Sequence, residues 1–119
     1  MKNIFLICPV RGVSDEEKAA IKAYVDKLEA LGHRVYWPAR DTNQDDPIGL
    51  RICTDNRWGI RQADEIHIWW NPASEGSRFD FGMVFALEKK VIIANREAVI
   101  PTPGKSFANV LLTYSEKWA

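Results

Sequence analysis

Residues 4–8 read Ile-Phe-Leu-Ile-Cys, an unbroken apolar run near the start of the 119-residue sequence. A strand with this pattern is buried on both faces, which is typical of the centre of a parallel sheet. A helix is predicted next, because Ser14 and Glu17 have the spacing of a capping box and apolar residues then recur at helical spacing from Ile21 to Leu31. The sequence therefore opens with a strand–helix unit of an α/β fold.

The same alternation continues along the chain. Apolar and amphipathic patterns predict three more strands and three more helices, at 33–37, 65–70 and 91–94 and at 48–63, 79–87 and 107–118. The polar segment 39–47 is predicted to be a loop and a candidate lid. Because crossovers are right-handed, we expect one domain over residues 1–119, a flavodoxin-like three-layer sandwich. Its parallel sheet would have four or five strands in the order 2-1-3-4(-5).

Composition excludes several classes of protein. The 16 basic and 16 acidic side chains cancel, which argues against a nucleic-acid polymer as partner. An apolar content of 46% excludes a disordered chain, and no apolar run approaches the roughly 18 residues of a membrane span. Cys8 and Cys53 lack the spacing of metal ligands, and two lone thiols indicate a reducing, cytoplasmic compartment. Neither a metal nor a cofactor is predicted.

Ligands of such folds bind beyond the carboxyl ends of the strands, where the strand order reverses. Here that position lies between the first and third strands, so the loops 9–13 and 71–78 are expected to line the site. In the first loop, Arg11 and Gly12 precede a helix N-terminus. A guanidinium beside free backbone N–H groups makes an anion site; a solvated loop arginine is the alternative.

The second loop supplies small polar groups and a carboxyl. Ser74, Gly76 and Ser77 offer hydroxyls and backbone N–H donors, with Arg78 beside them. Asp80 is expected in the first turn of the following helix, where its aromatic neighbours turn it towards the end of the sheet. Such a placement is costly unless the carboxyl is used, so Asp80 is the candidate reactive group.

Two further candidates come from elsewhere in the sequence. Asp55 lies near the apolar stripe of the 48–63 helix, and an ordinary exposed carboxylate is the alternative. Of the adjacent Trp69 and Trp70, one should belong to the core while the other could stack on a base or sugar, depending on the register of the strand. Trp70 is the candidate for that stacking surface.

In this order and spacing, the motifs resemble the nucleoside 2-deoxyribosyltransferase family. The resemblance runs from about Ile4 to Ala94. It rests on the arginine loop after the first strand, on Gln62-Ala63-Asp64 before the third, and on Ser74-x-Gly76-x-x-x-Asp80-x-Gly82-x-x-x-Ala86-Leu87. It is especially similar to the branch that contains the 2′-deoxynucleoside 5′-monophosphate N-glycosidases.

The resemblance implies cleavage of the N-glycosidic bond of a nucleoside or its 5′-monophosphate through a covalent deoxyribosyl–carboxylate intermediate. The family nucleophile is a Glu at the position of Asp80, and an Asp matching Asp55 assists the departing base. The matching Arg11 and Ser74 hold the 5′-phosphate. A neighbouring subunit completes the family's site, which implies a homodimer or a larger assembly. Phe5 stands where the family has a Tyr that contacts the carboxylate, so we include it among the substrate-site positions.

Two other functions stay open. The shorter Asp80 side chain and the absent hydroxyl at Phe5 suggest a non-catalytic nucleotide-binding or sensing domain on the same fold. A flavin binder that uses Trp69 or Trp70 as a ring platform is the third hypothesis. The loop after the first strand is not rich in Ser or Thr, which argues against flavin.

Overall fold

The computed structural model describes residues 1–119. Strands and helices follow one another as β1 (Asn3–Ile7), α1 (Asp15–Ala30), β2 (Arg34–Tyr36), α2 (Pro38–Asp41), α3 (Leu50–Gln62), β3 (Glu65–Ile68), α4 (Glu75–Ala86), β4 (Val91–Ile93) and α5 (Phe107–Ser115). Single turns of 3₁₀ helix lie at Arg96–Ala98 and Glu116–Trp118. The strands pair in parallel in the order β2-β1-β3-β4. The predicted α/β fold and strand order are confirmed, with four strands.

The two edges of the sheet are chemically distinct. Because all strands run in one direction, their carboxyl ends meet at one edge, here called the carboxyl edge, and their amino ends meet at the opposite amino edge. β1 and β3 are neighbours at the centre, with Phe5 paired to Ile66 and Ile7 paired to Ile68. The strand order reverses at this pair, so the carboxyl edge between β1 and β3 is the expected ligand site.

Helices cover the two faces of the sheet unequally. α3, α4 and α5 pack on one face, against Phe5 and Ile7 of β1. On the other face α1 packs against Ile4 and Leu6. All of residues 4–8 are buried, which confirms that the first strand is covered on both faces.

Helix α1 begins where the capping box predicts. The Ser14 side chain accepts a hydrogen bond from the Glu17 backbone N–H at 3.1 Å. Helix α4, by contrast, begins at Glu75 rather than at Phe79. Gly76 and Ser77 in its first turn have low helix propensity, which hid its start, and the Ser74 side chain caps it. Asp80 therefore lies in the second turn of α4, and its predicted place in the first turn is wrong.

The predicted loop 39–47 is also corrected, because its first residues belong to α2. Proline at the first helical position suits a helix start, and the Asp41 carboxylate accepts a hydrogen bond from the Trp37 backbone N–H at 2.8 Å. The Arg40 guanidinium then bridges Asp41 and Glu29 of α1. This end of the segment is anchored to the body of the protein, so it does not serve as a free lid.

The remaining boundaries shift by a few residues. Asp46 accepts a hydrogen bond from the Ile52 N–H at 3.0 Å and Gly49 adopts a φ of 89°, so α3 begins at Leu50 rather than at 48. The strands predicted at 33–37, 65–70 and 91–94 end earlier than expected, and the last helix tightens into a 3₁₀ turn after Ser115. None of the helices combines the length and apolar character needed to cross a membrane.

Candidate active site

Asp80 occupies the side of α4 that faces the carboxyl edge, where it is partly buried. Burial raises the pKa of its carboxyl to about 7, and the neighbouring Asn56 side chain opposes the rise. No ion pair joins Asp80 to a basic side chain. A carboxyl that is withdrawn from water without a cation beside it is a candidate functional group.

Asn56 was not predicted from the sequence. It lies on α3, is 6% exposed, and belongs to a buried chain of polar contacts. The Thr42 hydroxyl is 3.3 Å from Asn56 Oδ1, and the Tyr36 hydroxyl is 2.6 Å from the Thr42 hydroxyl. Asn56 follows Asp55 directly in the sequence, so a helical pattern alone does not show which of the two side chains turns inward.

Asp55 itself points away from this contact. Its side chain is 41% exposed and lies 3.9 Å from the Arg51 guanidinium, one turn earlier on α3. No hydrogen bond joins Asp55 to Asp80. The structure therefore brings Asp80 together with Asn56 and leaves Asp55 half-exposed on the same turn of α3.

Both thiols of the protein lie near Asp80, and both are free. Burial raises the pKa of Cys8 to about 12, and the nearby Asp80 and Glu17 carboxylates add to that rise. Burial also raises the pKa of Cys53, again with a contribution from Asp80. The carboxyl thus has thiols and an amide as neighbours. No group of three or more His, Cys, Asp or Glu side chains is arranged to hold a metal ion.

The start of α4 supplies backbone donors beside the site. Ser74 accepts a hydrogen bond from the Ser77 N–H at 3.2 Å and donates its own proton to the Ser77 hydroxyl at 2.8 Å. The N–H groups of Glu75 and Gly76 have no hydrogen-bond partner in the chain. These two donors lie at a helix N-terminus, and the anion-binding role of the loop stays a prediction.

The two candidate arginines differ in how they are held. The Arg78 guanidinium donates a hydrogen bond to the Pro72 carbonyl and so fastens its own loop. Arg11 is exposed and makes no hydrogen bond or ion pair. Gly12 beside it has a φ of 67°, a conformation that favours glycine. Arg11 is therefore the candidate arginine that is unpaired and available to an anion.

Two predicted contact residues are buried in the protein instead. Phe5 is 0% exposed and its ring stacks on Tyr36 with a centroid distance of 5.4 Å. Trp70 is 4% exposed and belongs to the core beneath α3 and α4. Trp69 lies on the other face, where its indole N–H donates to Glu17 at 3.3 Å. Phe5 and Trp70 therefore present no free ring face to a ligand, whereas Trp69 is partly buried.

Asn95, two residues after the end of β4, fixes the end of β3. Its side chain accepts a hydrogen bond from the Trp70 N–H at 2.7 Å and donates one to the Trp70 carbonyl at 2.8 Å. This reciprocal pair holds the backbone from which the loop 71–78 departs. Sequence reasoning missed Asn95, because an Asn after a strand more often indicates a turn.

Several solved structures share this fold, and three of them are described here. A CMP N-glycosidase from Clostridium botulinum, BcmB, is 26% identical, with a TM-score of 0.60 over 77% of this chain and 70% of that chain. A 2-deoxyribosyltransferase from Bacillus psychrosaccharolyticus is 20% identical, with a TM-score of 0.61 over 76% and 70%. A conserved protein from Enterococcus faecalis V583 is 14% identical, with a TM-score of 0.65 over 100% and 77%.

The resemblance to the nucleoside 2-deoxyribosyltransferase family is thereby confirmed at the level of the fold. No protein-family model matches the sequence, and no curated protein does.

Proposed function

We propose that this protein cleaves, or transfers a sugar at, the N-glycosidic bond of a nucleoside or nucleoside 5′-monophosphate. The observation that carries the proposal is the Asp80 carboxyl, partly buried at the carboxyl edge with no cation beside it. Such a group can stabilise the positive charge that develops at C1′ when the glycosidic bond lengthens. The fold shared with a CMP N-glycosidase and a 2-deoxyribosyltransferase supports the same chemistry.

In the proposed reaction Asp80 acts as a carboxylate nucleophile. One of its oxygens bonds to C1′, the C1′–N bond breaks, and the electron pair leaves with the base. The base takes a proton from an acid, a role we assign to Asp55 on the ground of the family resemblance. Water then opens the sugar ester, or a second base takes up the sugar, so hydrolysis and transfer share the first step.

We assign a 5′-phosphate to the donors at the start of α4. The N–H groups of Glu75 and Gly76 are unpaired, and Arg11 on the neighbouring loop is a cation without a partner. A helix N-terminus and a guanidinium together suit a phosphate. We expect Arg11→Gln to raise KM for a monophosphate and to leave KM for the corresponding nucleoside unchanged.

We further propose that a second copy of the chain covers the outer faces of α3 and α4. These helices expose large apolar side chains, namely Leu50 at 72%, Trp58 at 60%, Phe79 at 57% and Phe85 at 54%. A concentration of exposed apolar groups is unusual for a monomer. Light scattering after size exclusion should report a dimer, and Phe79→Ser should give a monomer; a monomeric parent protein would contradict this proposal.

Release of free base tests the proposed reaction. The purified protein is incubated with a panel of nucleosides and their 5′-monophosphates, CMP included, and the free base is separated by chromatography. Asp80→Asn should lower the rate by at least about a thousandfold, because removal of a nucleophile eliminates the covalent route. The matched control is Asp26→Asn, which changes an exposed carboxylate on α1 and should leave the rate unchanged.

The pH dependence gives a second test. Because the Asp80 pKa is about 7 and the nucleophile must be ionised, kcat/KM should rise with pH through that value. No base released from any substrate, or equal traces from the parent protein and Asp80→Asn, would overturn the proposed activity.

A non-catalytic nucleotide-binding domain is the second candidate function. The short Asp80 side chain favours it, because a nucleophile retracted by one methylene lies out of position by roughly 1 Å, enough to cost about a hundredfold in rate. This candidate predicts that nucleotides raise the melting temperature while releasing no base. Turnover that Asp80→Asn abolishes would exclude it.

A further inference from the structure

The loop that leads into α4 is held by a carboxylate from another part of the chain. Up to Trp70 the backbone is held by the sheet and by Asn95. Beyond that point, residues 71–74 make one hydrogen bond to an element other than their own loop and α4. It runs from the Asn71 side chain to Glu17 in the first turn of α1. The position of the loop relative to the rest of the molecule therefore depends on this contact.

The half-buried Glu17 carboxylate accepts one hydrogen bond on each of its oxygens. The Trp69 indole N–H donates to Oε2 at 3.3 Å, and the Asn71 side-chain N–H₂ donates to Oε1 at 3.4 Å. The Trp69 ring also packs edge-on against Tyr24, with a centroid distance of 6.3 Å. Tyr24 lies two turns after Glu17 on the same side of α1. This side of α1 is therefore fixed both to the end of β3 and to the start of the loop.

The Asn71 amide has one orientation that satisfies both of its neighbours. Its Oδ1 accepts a hydrogen bond from the Ala73 N–H at 2.9 Å, so its N–H₂ group faces the Glu17 carboxylate. The flipped amide would place its oxygen against that carboxylate and its N–H₂ against a backbone N–H. The Asn71 carbonyl accepts from the Ser74 N–H at 3.0 Å, and the Ser74 side chain caps α4. A continuous series of contacts therefore runs from Glu17 to the first turn of α4.

Glu17 also holds the other loop of the candidate site. Its backbone N–H donates to the Ser14 hydroxyl at 3.1 Å, which fixes the end of the loop 9–13 that carries Arg11. The backbone of one residue thus holds the first loop, and its side chain holds the second. The relative position of the two loops is set at Glu17.

We propose that Glu17 is a positioning residue of the candidate active site, and that Asn71 transmits its effect to the start of α4. The proposal deepens the proposed function and rests on it, because the unpaired N–H groups of Glu75 and Gly76, which we assign to a 5′-phosphate, follow directly after the Asn71 turn. Glu17 keeps these donors in place relative to Arg11, so a phosphate meets a preformed site. Glu17 and Asn71 act without touching the phosphate.

Exchanging the two polar groups tests the contact without changing its size. Glu17→Gln places an N–H₂ group against the N–H₂ group of Asn71, and Asn71→Asp places two carboxylates against each other. The double variant restores a donor and an acceptor in reversed roles. Its introduced amide keeps an oxygen for the Trp69 indole and points its N–H₂ at the introduced carboxylate. Both single variants should therefore be impaired, and the double variant should recover most of the loss.

Deuterium exchange of the Ala73 and Ser74 amides reports on the loop and needs no ligand. Asn71 holds both amides, so each single variant should speed their exchange about five- to tenfold, and the double variant should return it to within about twofold of the parent protein. The matched control is Glu16→Gln, which removes a charge from the same turn of α1 and should leave the exchange unchanged. Unchanged exchange in both folded single variants, or no recovery in the double variant, would overturn the proposal.

Titration with inorganic phosphate separates a positioning role from a role in the fold alone. The amide signals of Glu75 and Gly76 follow the binding, and the Kd for phosphate should rise about five- to tenfold in both single variants and recover in the double variant. A change of charge alone would lower the Kd in Glu17→Gln and raise it in Asn71→Asp, whereas a displaced loop raises it in both. Opposite signs in the two single variants, or one Kd for the parent protein and all variants, would overturn the positioning role.

The proposed reaction can fail separately. If exchange and phosphate affinity change as expected but no base is released, the role of Glu17 is supported and the proposed function is contradicted. A parent protein that binds no phosphate would overturn the positioning role even if it releases base. If both hold, KM for a monophosphate should rise in the single variants by the same factor as the Kd. Because Asp80 lies in the second turn of α4, kcat should change by less than about twofold.

Discussion

Two carboxyl groups are withdrawn from water at opposite edges of the same sheet, and they have opposite surroundings. At the amino edge, Glu65 is 5% exposed and accepts hydrogen bonds from His67 at 2.8 Å and from Lys2 at 3.0 Å. Lys90 lies 3.5 Å away. At the carboxyl edge, Asp80 makes no hydrogen bond or ion pair to a cation, and the neutral Asn56 side chain is the one group that lowers its pKa. Both are buried carboxyls, but only Glu65 is surrounded by cations.

The consequence is a divergence of their pKa values. Burial raises the pKa of Glu65, but the hydrogen bonds from His67 and Lys2 outweigh it and bring the value to about 2. Burial raises the pKa of Asp80 to about 7, because the amide of Asn56 offsets only part of the cost. Burial alone therefore does not decide the state of a carboxyl; the charged partners do. Its charged partners keep Glu65 ionised, and the ionised side chain stabilises the fold. Asp80 has no charged partner, so its carboxyl is available to a ligand.

The largest expected effect comes from removing the unsatisfied carboxyl. A folded-state pKa of about 7 against 3.8 in the unfolded chain stabilises the fold below pH 3.8, and this stabilisation is lost as the pH rises towards 7. Asp80→Asn should therefore be more stable than the parent protein by about 2–4 kcal/mol at pH 8. The two proteins should have similar stability at pH 4. Urea unfolding at both pH values measures this, and a loss of stability at pH 8 would contradict it.

Glu65→Gln should lower the free energy of unfolding, by a somewhat smaller amount than Asp80→Asn raises it. It removes the charge that pairs with Lys2 and Lys90, so we expect a loss of about 2–3 kcal/mol at pH 7. Because the folded-state pKa is lowered from 4.5 to about 2, the stabilisation by Glu65 is present above pH 4.5 and is lost as the pH falls towards 2. The difference in the free energy of unfolding between Glu65→Gln and the parent protein should therefore narrow as the pH falls from 4.5 towards 2. If the difference in the free energy of unfolding did not depend on pH, the loss of stability would come from packing and not from the charge of Glu65.

Tyr24→Phe tests the hydrogen bond between Tyr24 and His67, the side chain that donates to Glu65. Burial lowers the pKa of His67, so its ring is neutral, and its Nε2 proton is committed to the ionised Glu65. The His67 Nδ1 must then accept its hydrogen bond from the Tyr24 hydroxyl. Loss of that donor leaves a buried acceptor unsatisfied, which should cost about 1–2 kcal/mol in chemical unfolding. ¹⁵N shifts of the ring should show the proton on Nε2; a proton on Nδ1 would refute the assignment.

The smallest effect should come from a carboxylate in water. Asp26 pairs with Lys22 one turn earlier on α1 at 2.8 Å, but both side chains are more than half exposed. Solvent screens such pairs, so Asp26→Asn should change the free energy of unfolding by no more than about 0.5 kcal/mol. A larger change would mean that solvent exposure does not predict how much a carboxylate contributes to the stability of this protein.

Much of the fold was predictable because its signals are local. The run at 4–8 requires a strand buried on both faces, and Ser14 with Glu17 marks the start of α1 whatever the rest of the chain does. The start of α4 was missed because it depends on a cap at Ser74 and on a first turn that contains Gly76 and Ser77, which have low helix propensity. The short α2 was missed because contacts with α1, made by Arg40, help to hold it.

The site was predictable in part, for the same reason. Asp80 could be proposed from its aromatic neighbours and its place beside a glycine-containing loop. Asn56 could not, because the side of α3 that faces Asp80 is set by the fit of Gly59 against Phe5, a contact between residues far apart in the sequence. The burial of Phe5 follows from the apolar run at 4–8, whereas the strand register that turns Trp70 rather than Trp69 into the core could not be predicted from the sequence.

Asn95 affects how the molecule opens as well as how it folds. Its side chain gives the Trp70 backbone a donor and an acceptor, as a neighbouring strand would, two residues beyond the end of β3. We therefore expect the Trp70 amide to exchange with solvent deuterium as slowly as the amides of β3, and the Ala73 amide, bonded within its own loop, much faster. Local opening would then begin after Trp70, so the donors at the start of α4 can move to admit a ligand while the floor of the site stays still.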